Sequence, residues 1–139
     1  MLSADQLSTI RMLFLGFTGL VCALYAGLAV LWSDPSPFSP WLPGLCGLGS
    51  AIIITLTARA AGDKSAEMAF DEGYMADSHK AQRYAYWIAV FLYPAFAVPL
   101  SLNWISWPVG FAAMGTLTGA AFLLLFVWFD LQGRREIEA

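Results

Sequence analysis

Charged residues are scarce in this sequence. Only 12% of its 139 residues are Asp, Glu, Lys or Arg, about half of the 25% that is usual in soluble domains, whereas 59% are apolar. A chain this short and this apolar has too little polar surface to cover an exterior that faces water, which favours a membrane protein. The formal charge of −3 argues against nucleic acid as the main partner.

Residues that commonly carry out chemistry are also few. Cys22 and Cys46 lie in apolar runs without a CxxC pair, so we interpret them as small hydrophobic residues. The single histidine, His79, lies outside the apolar runs, which argues against a heme ligated inside the helices. The sequence thus predicts a protein that is not an enzyme, with no catalytic residues, metal or cofactor. Binding of a pigment or quinone against the aromatic residues of the third apolar run stays open.

Long apolar runs dominate what is present. Four of them contain no charged residue, at residues 12–32, 41–58, 84–102 and 108–129, and each is long enough to cross a bilayer as a helix. The first run is too long for the apolar core of a cleaved signal peptide, so we expect it to be retained. The sequence predicts an all-α polytopic protein with a single domain, 1–139, in which spans three and four are antiparallel neighbours.

The positive charges predict an orientation. All seven Lys and Arg residues fall before span one, between spans two and three, or after span four. The positive-inside rule therefore predicts that both termini and the central loop are cytoplasmic, in a bacterial inner membrane. The six tryptophans lie near the ends of the spans, as expected for an aromatic belt at the two interfaces.

The polar stretch between spans two and three, residues 59–83, holds five of the ten acidic residues and the only histidine. We predict a cytoplasmic helix here, with acids leading and bases closing it. Glu67, Asp71 and His79 stand at multiples of four residues and would share one face of such a helix. With Glu72 they form a predicted docking face. Whether this helix lies on the membrane or projects from it is left open.

Small residues recur at intervals of four within the spans. In lipid, helices associate through close packing at such residues. The candidate packing positions lie in spans one, two and four, and they are Gly19, Ala23, Gly27, Gly47, Ala51, Gly115 and Gly119. They predict contacts within the helix bundle or with another subunit, and we favour contacts within the bundle.

Two functions are consistent with these features. The first is an accessory or scaffold subunit that packs against a larger membrane complex. The second is a homo-oligomeric carrier of a small molecule or lipid, with a cavity near Pro94. The absence of ionisable residues from all four spans argues against proton pumps and ion-coupled carriers. A third hypothesis, a lipid enzyme with a metal held by cytoplasmic carboxylates, would involve Asp71 and His79.

One short motif adds a resemblance. The pair Asp71-Glu72 precedes YAYWIAVFLYP at the start of the third span. In this motif and in its layout the chain resembles small uncharacterised bacterial four-helix inner-membrane proteins that have an acidic cytoplasmic helix between spans two and three. The resemblance implies a four-helix membrane fold and assigns no catalytic residue.

Overall fold

A computed structural model describes residues 3–70 and 72–138, without the side chains at positions 65, 72 and 134–138. Over these residues the protein is all-helical. Five helices follow one another, and no strand occurs among these residues. Their bounds are α1 Ala4–Trp32, α2 Leu42–Ala61, α3 Asp63–Ala69, α4 Glu72–Ser101 and α5 Trp107–Glu138.

Four helices are long and apolar enough to cross a membrane: α1, α2, α5 and the stretch that contains α4. Large apolar side chains cover their outer surfaces. Leu31 of α1 is 78% exposed and Phe111 of α5 is 63% exposed, for example. A soluble protein rarely leaves such a surface in contact with water, so the fold supports the prediction of a multi-pass membrane protein.

The four long helices are arranged as a row in the order α2, α1, α5, α4. The most extensive contact is between α1 and α5, followed by the contacts of α4 with α5 and of α1 with α2. Each neighbouring pair is antiparallel, because residues near the start of one helix meet residues near the end of the next, as Gly16 meets Val127 and Tyr84 meets Phe129. The predicted antiparallel pairing of spans three and four is confirmed.

The connections define two ends of the row. At one end, which we name the charged end, α1 begins, α2 ends, α4 begins and α5 ends; α3 lies there against α1 and α2. At the other end, residues 33–41 join α1 to α2, and a short turn joins α4 to α5. Asn103 makes that turn with a left-handed backbone, φ 56°, which asparagine tolerates better than most residues.

Local sequence explains how the helices start and stop. Ser3 and Gln6 form a capping box at the start of α1, each side chain accepting a hydrogen bond from the backbone N–H of the other residue. Ser33 ends α1 in the left-handed conformation, just before the proline-rich segment. The helix α4 continues through Pro94 and Pro99.

The prediction of a single helix in the polar stretch is wrong. The chain forms two helices there: α3 ends at Ala69, Phe70 leaves the helical conformation with φ −116° and ψ 38°, and α4 begins at Glu72. From Glu72 onward the polar segment and the third span form one continuous helix. The polar part of α4 therefore runs on along the direction of the span.

Candidate functional site

The charged end contains a buried arginine. Arg11 lies in the third turn of α1 and is 2% exposed. Its guanidinium donates hydrogen bonds to the Ala69 carbonyl, to the Ser8 hydroxyl at 3.1 Å and to Asp130 Oδ1 at 3.3 Å. The side chain of Asp130 is only 11% exposed, so the ion pair is largely shielded from water. Arg11 thus connects α1 with the end of α3 and with α5.

Three aromatic rings surround the same guanidinium. Its Cζ atom lies 4.4 Å from the ring centre of Tyr74, 5.3 Å from Phe70 and 5.6 Å from Phe126. Tyr74 also contacts the other two rings edge to face, with centres 5.1 Å and 5.3 Å apart. Such cation–π contacts gain strength where water is excluded. We call the set the Arg11 cluster: Arg11, Ala69, Phe70, Tyr74, Phe126 and Asp130.

The row of helices brings these residues together. Because α1 and α5 are antiparallel, the early turns of α1 lie level with the late turns of α5, and Arg11 meets Asp130. From the sequence alone, both residues counted only as charges that flank the apolar runs. A signal was present, since Arg11 is the last charged residue before the first apolar run and Asp130 is the first after the fourth.

The chemistry of the Arg11 cluster is that of binding and positioning. A guanidinium stays protonated in proteins, so it donates hydrogen bonds and holds a fixed positive charge without exchanging protons. Within the described part of the chain, no three His, Cys, Asp or Glu residues are grouped so as to hold a metal ion.

The predicted docking face is divided by the break between α3 and α4. Glu67 is exposed on α3 and His79 is exposed on α4, so the four-residue spacing does not place them on one helical face, and that prediction is wrong. Asp71 lies outside the described residues. Glu72 starts α4, and its side chain also lies outside the described part.

The small residues divide into packed and open positions. Gly19 packs closely against α5, because a Cβ atom there would lie 3.0 Å from Leu124. Ala23 is half-buried and Ala51 is exposed. A Cβ atom would meet nothing within 4 Å at four of the candidate positions, which are Gly27, Gly47, Gly115 and Gly119. The favoured prediction of packing within the bundle is therefore wrong for these four glycines.

A polar contact joins α1 and α2 within their apolar stretches. The hydroxyl oxygens of Thr18 and Ser50 are 2.7 Å apart, and both residues are buried. Each hydroxyl oxygen also lies 3.3 Å from a backbone carbonyl of the facing helix, Thr18 from Cys46 and Ser50 from Phe14, so the two hydroxyl protons are shared among three contacts. From the sequence alone, neither hydroxyl had a predicted role. Two small polar residues in opposing spans were the available signal.

An apolar cavity of about 170 Å³ lies between α4 and α5 near their connecting turn. Its lining consists of Tyr93, Ala97, Leu100, Trp107, Phe111 and Met114. The carrier hypothesis predicted a cavity near Pro94. Pro94 lies between Tyr93 and Ala97 in the sequence but does not itself line this cavity.

Comparison with known protein families, with curated proteins and with solved structures gives no match for this chain. The resemblance to bacterial four-helix inner-membrane proteins therefore stays a prediction. The structure itself shows an all-helical chain with four helices that are long and apolar enough to span a membrane.

Proposed function

We propose that this protein is a non-enzymatic accessory or scaffold subunit that packs against other subunits of a larger membrane complex. One observation carries the proposal: the GxxxG motif at Gly115 and Gly119 is open toward the surroundings. In lipid, small residues allow helix backbones to approach closely. A motif of this kind that no helix of its own chain fills is available to a helix of another chain.

The arrangement of the helices supports the same conclusion. At an edge of the row, α2 has α1 as its long-helix neighbour and α3 at its end. Its small residues Gly47 and Ala51 stand four apart and face away from the packed contacts. The protein thus offers two open small-residue surfaces, one on α2 and one on α5, while its own fold is held by the contacts of α1 and α5.

The charged end supplies the second part of the proposed interface. Glu67 and His79 are exposed there, and Asp71 and Glu72 are close to them in sequence. Under the positive-inside rule, the distribution of Lys and Arg supports a cytoplasmic location for this end. We therefore propose a multi-pass protein of a bacterial cytoplasmic membrane, with both termini inside and these residues as a cytoplasmic docking surface formed by parts of two helices.

A second candidate, a homo-oligomeric carrier of a small molecule or lipid, is favoured by the cavity between α4 and α5. Its lining is apolar, which suits an apolar cargo. The carrier hypothesis places the functional surface at the end of the row where a short turn joins α4 to α5. The accessory hypothesis places it on the open glycines and the charged end.

Native mass spectrometry of the protein extracted gently from its own membrane tests the proposal. We expect stoichiometric foreign subunits with the wild type and their loss from the double variant Gly115→Leu/Gly119→Leu. The control is Gly49→Leu on α2, because a Cβ atom at Gly49 also meets nothing within 4 Å and Gly49 lies outside the surface of α5 that the double variant changes. Thermal unfolding of each variant checks that folding is intact.

Two outcomes would contradict the proposal. A wild-type protein that is recovered as a pure homo-oligomer would make the carrier the better hypothesis. A folded double variant that keeps its foreign subunits would show that the open face of α5 is not the contact surface.

A further inference from the structure

Two free cysteines lie on neighbouring helices of the row. Cys22 is buried in α1, and Cys46 is half-buried in the second turn of α2. The contacts around them decide whether the two thiols can react with each other.

Cys22 lies on the face of α1 that contacts α2. The buried residues Thr18, Cys22 and Tyr25 follow one another at intervals of four and three residues, the spacing with which a helix contacts a neighbouring helix. One turn before Cys22, the Thr18 hydroxyl contacts Ser50 of α2 at 2.7 Å. One turn after it, the Tyr25 hydroxyl donates a hydrogen bond to the Pro35 carbonyl, at 3.2 Å, in the segment that leads to α2. Cys22 is therefore placed between two contacts with α2 and its connection.

The register of α1 and α2 places Cys46 opposite Cys22. Because the two helices are antiparallel, four residues forward on α1 and four residues backward on α2 are the same step of about 6 Å along the pair. From the contact between Thr18 and Ser50, this step leads to Cys22 and Cys46. A step of four joins successive contact positions of a heptad pattern. Cys46 is also an electrostatic neighbour of the Cys22 thiol.

The two helices approach each other closely at this level. The Thr18 hydroxyl oxygen lies 3.3 Å from the carbonyl of Cys46, and that of Ser50 lies 3.3 Å from the carbonyl of Phe14. Short side chains reach the backbone of a facing helix only where the two backbones are close. A disulfide also needs a close approach, with Cα atoms about 4.4–6.8 Å apart. The contact of Thr18 is with Cys46 itself, so this cysteine belongs to the closely packed part of the pair.

We propose that Cys22 and Cys46 form a reactive dithiol, which closes to a disulfide by exchange with a small organic disulfide and so links α1 covalently to α2. Cys46 is the more accessible thiol and reacts first: its sulfur bonds to one sulfur of the organic disulfide, and the other half leaves as a thiol. The Cys22 sulfur then attacks the Cys46 sulfur and releases the second half. The dithiol loses two electrons and two protons, and the two released thiols carry them.

The link would fix a helix at the edge of the row. The helix α2 has α1 as its long neighbour, and a disulfide would hold it there until a thiol reduces the bond. Gly47, on the surface proposed for other subunits, is the residue next to Cys46. The dithiol goes beyond the proposed function, and its test does not depend on whether the protein binds other subunits.

Dithiodipyridine, an organic disulfide that enters apolar regions, tests the pair in the full-length protein in nanodiscs after reduction. We expect the wild type to release two thiopyridone molecules per chain, to keep no thiopyridyl group and to lose the mass of two hydrogen atoms. Intact-mass spectrometry and the absorbance of thiopyridone measure these changes. Cys22→Ser should keep one thiopyridyl group on Cys46, because no second thiol is there to displace it.

Moving the second thiol around α2 gives a matched control. The variant Cys46→Ala/Gly47→Cys shifts the thiol by about 100° around the helix, to a position where a Cβ atom meets nothing within 4 Å. This variant should keep a thiopyridyl group on the relocated thiol and form no disulfide with Cys22. Circular dichroism and size-exclusion chromatography check that each variant is folded.

Several results would overturn the proposal. A wild type that keeps thiopyridyl groups would show that the two thiols do not meet, and a wild type that does not react would show that Cys46 is not accessible. A doubled mass would assign the disulfide to two copies of the chain. If the relocated thiol formed a disulfide as fast as Cys46 does, the register of α1 and α2 would not determine the reaction.

Discussion

Arg11 and Arg83 show how differently two arginines that flank membrane spans can be placed. Each directly precedes an apolar run, and both count equally in the positive-inside rule. Arg11 is buried among aromatic rings and bound to Asp130, whereas Arg83 is exposed. Burial of an arginine requires a charged partner and further hydrogen bonds, and the Arg11 cluster provides both.

Removal of one partner of the Arg11–Asp130 pair should be much more costly than removal of both. We expect Arg11→Met and Asp130→Leu each to lose about 3 kcal/mol of stability, because each breaks a largely buried ion pair. The double variant Arg11→Met/Asp130→Leu should recover most of this loss, since both members of the pair are then replaced by apolar side chains. Equilibrium unfolding in mixed micelles provides the measurement.

The outcome that would contradict this prediction is additive behaviour. If the double variant lost the sum of the two single losses, the two residues would stabilise the protein through separate contacts. Arg83→Met provides the baseline for an exposed arginine, and its effect should stay within about 0.5 kcal/mol.

At the scale of the element, α1 shows why regular spacing of small residues does not guarantee a common contact. Gly19, Ala23 and Gly27 are spaced by four residues, and each step of four rotates the position by about 40° around the helix axis. Gly27 is therefore rotated by about 80° from Gly19. Gly19 faces Leu124 of α5, whereas a Cβ atom at Gly27 would meet nothing within 4 Å.

This difference predicts opposite effects of the same substitution. Gly19→Ala should destabilise the protein by about 1–3 kcal/mol, because the new methyl group would lie 3.0 Å from Leu124 and 3.2 Å from the Cβ atom of Leu123, and these side chains must shift to make room. Gly27→Ala should be neutral or slightly stabilising, because alanine favours a helix and the space is open. Unfolding of the two variants under identical detergent conditions is the measurement.

Equal stability of the two alanine variants would contradict this assignment of the α1–α5 contact. A loss at Gly27 larger than that at Gly19 would indicate that a second chain covers Gly27 in the sample, and size-exclusion chromatography with light scattering would show it as an oligomer.

The helices α3 and α4 show that tertiary contacts can also decide where a helix ends. The order of acids and bases in residues 63–83 predicts one helix, whereas the described residues form two there, α3 and α4. Helix propensities differ by less than about 1 kcal/mol per residue among ordinary residues. The burial of Ala69 and the hydrogen bond from Arg11 to its carbonyl are large enough to outweigh them.

At the scale of the whole molecule, the row of helices determines which surfaces are available. In the order α2, α1, α5, α4, the central helices α1 and α5 have two long neighbours each, and the outer helices have one. Exposed apolar residues therefore occur on both sides of the row, and open glycines occur on the outer helix α2 and on the central helices α1 and α5. A row of this kind leaves more helix surface for lipid or for other subunits than a closed bundle.

The orientation of the row in the membrane gives a further prediction. We expect the charged end to be cytoplasmic, because it carries all seven Lys and Arg residues. Green fluorescent protein fused after Ala139 should fluoresce, and alkaline phosphatase inserted after Ser36 should be active, since the enzyme requires export. Alkaline phosphatase inserted after Lys64 serves as the control and should be inactive. The reverse pattern of activities would overturn the predicted orientation.

The sequence by itself determined the helical class and the approximate positions of the four spans, because the length of an apolar run and the lack of charge within it are local properties. It also determined that spans three and four are antiparallel, since a turn of a few residues permits nothing else. The residues 12–32 and 108–129 lie within α1 and α5, which extend beyond them into the charged end.

Only the tertiary structure decided which helices are neighbours, and several features of the site follow from that choice. The packing of α1 against α5 buries Gly19 and brings Arg11 to Asp130, whereas Gly115 and Gly119 stay open on the same helix α5. The position of α3 against α1 and α2 separates Glu67 from His79. Residues far apart in sequence make these contacts, so spacing along the chain carries no information about them.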